Sequence, residues 1–422
     1  MGSLVQQAIR GLILAAGLLS AAPPHNNLDP AFDKVPFDQW LAEHDSKSSF
    51  HWSVTVPHAE LTFHQRLQTH VEIKLDGRDL ETRRGDGRLV FLIQITDRDG
   101  RKYQRHRTVD LSKLDENIAA ANIQYLQNAF FLPGEYRLAI AIFDLRTGEH
   151  STREAEFRIQ PENHRFLADA WRALPPVEFT GNEESPDSWF LPEIQGRLQW
   201  ADAVHAPARL GVILNVAPHR TNSADLAALL PTVKAISQTG SPAVSEHVEL
   251  LDLSRRRAAF DQKGFDEIDW PSLKESLSDS NTASIDVHSL SESRRDAQFF
   301  VSQVRGILRD SKQPCVLLVL TPPVAFESGE DLNPISLEAL PACRVIYVRY
   351  HAVVERARPV DPMFGSRHGG HMGAAPPIYG NRPPQVVDQL EATVKPLNPK
   401  VFDVDTPEQM TKVFVEMQKM LQ

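Results

Sequence analysis

Clustered positive charge is missing from this chain. Its longest basic run is Arg255-Arg256-Arg257, and the formal net charge is −10 with a pI near 5.9. Polyanion recognition needs Lys and Arg gathered in patches, so nucleic acid is excluded as an expected partner. Long apolar runs are also missing: beyond the amino terminus no stretch has the roughly 18 uninterrupted apolar residues of a membrane helix. Catalytic signatures are absent as well. The chain has no Gly-x-Ser-x-Gly, His-Glu-x-x-His, Gly-x-x-x-x-Gly-Lys-Ser/Thr or Gly-x-Gly-x-x-Gly, the spacings that build nucleophile elbows, zinc sites and phosphate cradles. No catalytic residue is assigned and no cofactor is expected. Cysteine is scarce, with two among 422 residues, which allows one bridge at most.

What is present describes an ordinary globular protein. Hydrophobic residues make up 41% and charged residues 24%, and the length suffices for two or three domains. The first 22 residues carry Arg10, an apolar core over 11–19 and small residues Ser20, Ala21 and Ala22 before Pro23-Pro24. That is the layout of a secretory signal peptide, so the protein is expected to be exported, to periplasm or medium. An uncleaved amphipathic start to a cytoplasmic protein is the alternative. Export would permit a disulfide between Cys315 and Cys343, which open two neighbouring apolar runs. Two separate buried thiols are the other reading.

Residues 23–50 read as a leader with a short helix at 37–41. From 51 to 160 the pattern alternates with period two, as at Trp52, Val54, Val56 and at Val71, Ile73, Leu75. Turn signals at Asp97-Arg-Asp-Gly100, Pro133-Gly134 and Arg146-Thr-Gly148 separate about seven strands, the signature of an immunoglobulin-like β-sandwich. Residues 161–207 read as a linker containing a short helix at 165–174 that Pro175-Pro176 ends.

From 208 to 422 strands and helices alternate. Runs at 209–216, 315–320 and 344–350 are continuously apolar, as expected when helices cover both faces of a parallel sheet. Runs at 246–253 and 257–260 form a strand pair. Asp269-Trp-Pro-Ser272, Ser291 and Thr406 mark helix starts. The expected fold is a doubly wound, Rossmann-like α/β domain.

In its strand and helix order this half resembles the von Willebrand factor type A domains of bacterial proteins. The first strand of that family runs into a metal-binding Asp-x-Ser-x-Ser; here the run is Asn215-Val-Ala-Pro-His219. The family's later Asp falls here in Leu320-Thr-Pro-Pro323, which has no carboxylate. The resemblance thus implies the fold with its metal chemistry lost. Asn215, Ala217, His219 and Thr321 occupy the degenerate positions, and Mg²⁺ wants more oxygen ligands than they offer. A loop at 359–373 holds His368 and His371 near Met363 and Met372, a soft donor set for copper or zinc, or simply a solvated Gly/Pro-rich loop. The function expected is that of a non-catalytic binding or scaffold protein with an unidentified protein partner. The alternatives are a secreted hydrolase with an unrecognised site, or a metal binder built on the 359–373 loop.

Overall fold

The computed structural model describes residues 28–43, 50–85, 87–114, 117–162, 164–180, 194–200, 204, 206–216, 223–239, 243–281, 293–309, 313–324, 343–350 and 388–422. In chain order, helix α1 (Phe37–Ala42) precedes strands β1 (Trp52–Thr55), β2 (Glu60–Leu61) and β3 (Leu67–Asp76). Helix α2 (Gly77–Glu81) leads to β4 (Arg88–Asp97), β5 (Lys102–Asp110), β6 (Asn122–Phe131), β7 (Gly134–Asp144) and β8 (His150–Ile159). Helix α3 (Arg165–Ala170) and strand β9 (Val177–Phe179) complete this half.

These strands form two antiparallel sheets. One has the order β1-β3-β6-β9 with β2 paired to β3, and the other has the order β5-β4-β7-β8. Alternation decides which residues face inward. Val71, Ile73 and Leu75 of β3 share one core with Phe91, Ile93 and Ile95 of β4 and Leu138, Ile140 and Ile142 of β7. Phe91 and Tyr125 stack across the sheets with centroids 4.7 Å apart. The turn after β4 forms where the sequence predicts it, with Gly100 at φ 80° and its N–H donating to Asp97 O.

Two segments do more than the sequence suggests. Residues 28–43, read as a leader, lie on the outer face of the second sheet, where Phe32, Phe37 and Trp40 cover Val90, Leu92, Ala139 and Ala141. The connection after residue 160 supplies β9 as an edge strand and Trp171 as a core side chain.

The second half begins with β10 (Ala208–Asn215), α4 (Ser223–Gln238), β11 (Val244–Asp252), β12 (Arg257–Lys263), α5 (Trp270–Asn281) and α6 (Ser293–Arg309). It continues with β13 (Cys315–Thr321), β14 (Cys343–Tyr350), α7 (Gln389–Val394), β15 (Lys400–Val404) and α8 (Pro407–Leu421). The six-stranded sheet runs β12-β11-β10-β13-β14-β15, parallel except for β12, which pairs antiparallel with β11. Numbered within this half the order is 3-2-1-4-5-6, that of a doubly wound sheet. Helices α4, α5 and α8 pack on one face through Leu230, Val233, Leu273 and Phe414. Helices α6 and α7 cover the other through Phe300, Val304, Ile307 and Leu390. Gly211 lets α6 approach, because a Cβ there would sit 2.8 Å from Ile307 Cγ2. Thr406 caps α8 through a capping box with Gln409. Cys315 and Cys343 stand opposite each other on β13 and β14, Cα–Cα 4.5 Å, and their sulfurs are joined.

The halves share one core, and Gln65 hydrogen-bonds across the junction. Gln65, in the turn between β2 and β3, is fully buried with φ 57°, a left-handed conformation unfavourable for a side chain with a Cβ. Its Nε2 donates to Pro407 O at 3.1 Å, its Oε1 accepts from Thr411 Oγ1 at 2.6 Å, and its carbonyl accepts from Trp171 Nε1 at 2.8 Å. Substituting Gln65→Ala removes both side-chain bonds and opens space between the halves. The expected loss is about 2–3 kcal/mol, read as a lower urea midpoint; an unchanged midpoint would show that the junction does not depend on Gln65.

Candidate functional site at the carboxyl edge of the parallel sheet

In open α/β sheets the connections from two adjacent strands diverge to opposite faces at one point, leaving a crevice beyond their carboxyl ends. Here that point lies between β10, which leads into α4 on one face, and β13, which follows α6 on the other. The register pairs Leu214 with Leu320, so Asn215 and Thr321 stand side by side where the strands end. Both are fully buried.

Their hydrogen bonds determine each other. Thr321 Oγ1 donates to Pro322 O at 2.8 Å, so it meets Asn215 as an acceptor and takes a bond from Nδ2 at 2.9 Å. That fixes the amide orientation and leaves Asn215 Oδ1 buried without a hydrogen-bond partner among the described residues. An orphaned acceptor costs about 1–3 kcal/mol, and a buried one asks for an explanation. The pair is neutral. Among the described residues no group of three or more His, Cys, Asp or Glu is placed to hold a metal.

Two buried carboxylates at this edge are already engaged: Asp252, the last residue of β11, accepts from Ser254 Oγ at 2.8 Å and Arg255 N at 3.2 Å. Asp388 caps α7, accepting from Leu390 N at 3.1 Å and Val324 N at 3.3 Å, and from Tyr347 Oη at 2.9 Å. Burial raises its pKa while these bonds pull the other way. Asp388 thus anchors the exit of β13 to α7. Arg349 ties β14 to Glu391 at 2.9 Å and to Asp403 at 2.7 Å.

Sequence reading placed four residues here, and the structure brings two of them together. Asn215 and Thr321 meet; Ala217 and His219 lie outside the described residues, as do His368 and His371. The structure adds a charged group that the sequence did not single out, on β11. His247 Nδ1 lies 3.2 Å from Arg209 Nη2 and its Nε2 lies 2.6 Å from Asp261 Oδ1. Guanidinium only donates, so Nδ1 accepts and Nε2–H donates to the carboxylate. Both ring nitrogens are occupied, and burial holds the His247 pKa down, so this imidazole is an anchor and not a base. Its neighbours Glu246 and Glu249 are buried, and desolvation pushes each up to about 7. The run Glu246-His-Val-Glu249 inside an otherwise apolar strand is the signal that could have found them.

No protein-family model matches the chain, and no curated protein matches it. Among solved structures, the ArnB paralog VWA2 from Sulfolobus acidocaldarius is similar at 10% identity with a TM-score of 0.27, over 67% of this chain and 50% of that one. The chain therefore spans half the length of that structure. A putative ApaA protein from Bordetella pertussis matches 28% of this chain and 98% of its own at 13% identity, TM-score 0.19. A β-glucosidase from Listeria innocua in complex with gluconolactone matches 28% and 17% at 15% identity, TM-score 0.16. All three are distant.

Two outcomes are expected. Asn215→Leu removes the orphaned oxygen and leaves Thr321 its bond to Pro322 O, so stability stays within about 1 kcal/mol of the parent or rises. A loss above about 2 kcal/mol on chemical denaturation would mean that Oδ1 has a partner in solution. For Glu246 the folded state releases its proton near pH 7 and the unfolded chain near 4.5. Between those values the folded protein holds more protons, so stability falls as pH rises from 4.5 to about 7 and is level above. Glu246→Gln should match the parent at pH 4 and exceed it at pH 8 by on the order of 2–3 kcal/mol, measured by urea titration.

Proposed function

We propose that this chain is an exported, non-catalytic binding protein that engages a protein partner at the carboxyl edge of its parallel sheet without a divalent ion. The placement of Asn215 and Thr321 carries this reading. They end the first and fourth strands of the α/β half, where the von Willebrand factor type A resemblance puts metal ligands, and they form a neutral amide–hydroxyl pair joined by one bond of 2.9 Å. The described chain leaves this same edge after Val216, Val324 and Tyr350, and connections beyond strand ends commonly carry recognition. The joined cysteines support an oxidising compartment.

In the same reading the first half is an immunoglobulin-like module. Its sheets follow the pattern A-B-E for β1-β3-β6 and C′-C-F-G for β5-β4-β7-β8. Tyr136 stands at the start of β7 and donates from Oη to Leu132 O at 2.8 Å and Pro176 O at 3.1 Å. A tyrosine bonded back to the backbone at that corner is characteristic of such sandwiches.

The test uses the full chain with a photocrosslinking residue at His219, Phe326 or Met363, each following one of the three edge exits. A matched set at Gln313 and Arg344 marks the opposite edge. The expected result is one common adduct from the first set, none from the second, and no change with a chelator. An adduct that needs Mg²⁺ or Mn²⁺, an adduct from the second set only, or substrate turnover abolished by a single point substitution would overturn the proposal.

A further inference from the structure

At the other edge of the sheet, away from Asn215, lies a small cleft of about 270 Å³. It forms where the carboxyl end of α4 meets the turn after β12 and the segment at 194–197. Its walls are mostly polar: Arg197, Lys234, Gln238, Asp266 and Glu267 line it, with Ile194 as the apolar contribution. A cleft of this size is below the range that takes drug-sized ligands, so its occupant is a single small molecule.

The charges in it are arranged by sign. Lys234 is 2% exposed, an uncommon burial for an ammonium group. Its Nζ sits over the Trp270 ring, 5.4 Å from the centroid, and 3.8 Å from Glu267 Oε1. The indole and α4 hold that positive charge in the wall. Arg197 lies on the segment beside it, and Gln238 is kept in place by donating from Nε2 to Ile194 O at 3.1 Å. Asp266 and Glu267, both exposed, come from the turn after β12 and bring negative charge to the rim. Arg197 is close enough to the buried Glu246 for its charge to lower that carboxyl's pKa, and it stands exposed at the cleft with Asp266. The cleft therefore presents both signs of charge a few ångströms apart over a largely polar surface. A simple anion would meet the two carboxylates, and a simple amine would meet the ammonium and guanidinium. A molecule carrying both charges satisfies both walls.

We propose that this cleft binds a small zwitterion of the α-amino-acid class, its carboxylate toward Arg197 and Lys234 and its ammonium toward Asp266 and Glu267. The site is independent of the carboxyl-edge reading.

The test is calorimetric titration of the full chain with glycine, serine and glutamine, beside propionate as the carboxylate alone and ethanolamine as the amine alone. One-to-one binding of at least one amino acid is expected, with propionate and ethanolamine each weaker by about tenfold or more. Lys234 is buried, so Lys234→Met risks misfolding; the exposed Arg197→Gln and Asp266→Asn keep the test readable. Each is expected to weaken amino-acid binding by about tenfold. No saturable heat from any amino acid at millimolar concentration, propionate binding as tightly as the amino acids, or affinity unchanged in both variants would overturn the proposal.

Discussion

Gln65 is held in a conformation its own backbone disfavours, and the arrangement of the two halves depends on that. The turn between β2 and β3 must enter the left-handed region to point the residue's carbonyl at Trp171 and its side chain at the start of α8. The strain is offset by three hydrogen bonds, two buried and one partly buried, all to elements distant in sequence. Packing follows from the same placement. Phe63, two residues earlier, lies against Tyr350 with centroids 6.2 Å apart, and Phe166 lies against Phe414 at 6.2 Å. Tyr350 in turn donates to Thr232 of α4 at 2.9 Å. An antiparallel sheet and a parallel one are thus joined through side chains that belong to the ends of elements, where backbone groups still need partners.

That junction meets only one face of the parallel sheet, the one covered by α4, α5 and α8. The other face is closed by α6 and α7. With both faces buried, the sheet offers chemistry only at its edges, and the two edges differ. At the carboxyl edge Asn215 and Thr321 are neutral, Asp252 at the end of β11 is engaged by Ser254 Oγ and Arg255 N, and Asp388 serves as a helix cap. At the amino edge β11 carries Glu246 and His247, and α4 delivers Lys234. Burying those groups is unfavourable unless each has a counter-charge or gives up its own charge. His247 gives up its charge, accepting from Arg209 and donating to Asp261 as a neutral imidazole; Glu246 is pushed toward its neutral form by burial, with Arg197 pulling the other way.

Much of the architecture was legible in the sequence. The apolar runs became β10, β13 and β14; the strand pair at 246–260 became β11 and β12; Asp97-Arg-Asp-Gly100 turned the chain; and Thr406 capped α8. These signals are local or periodic. The parts that escaped are those decided by distant partners. β9 has three residues after two prolines, too few to show a period. The packing of residues 28–43 was written less in that segment than in β4, whose run over 89–93 is apolar on both faces; an antiparallel sheet with one side in water should alternate there. Gln65 gave no sign of its role, since a lone glutamine in a turn reads as solvated. At the candidate site, Asn215 and Thr321 were found because strand ends are predictable. Their mutual bond was not predictable, because it depends on the sheet order.

The orphaned oxygen of Asn215 bears on why the site is neutral. A carboxylate at that position would be fully buried with one hydroxyl beside it. Such a group either protonates or recruits a positive ion. An amide avoids both outcomes: it keeps the shape of the carboxylate, donates to Thr321, and leaves a single buried acceptor without a partner among the described residues. The desolvation penalty falls from that of a charge to that of one unpaired dipole. A donor from a partner, an N–H or O–H, can satisfy that dipole without bringing a charge into the crevice. Recognition of this kind is governed by shape and hydrogen bonding, and it would be insensitive to chelators and weakly dependent on salt.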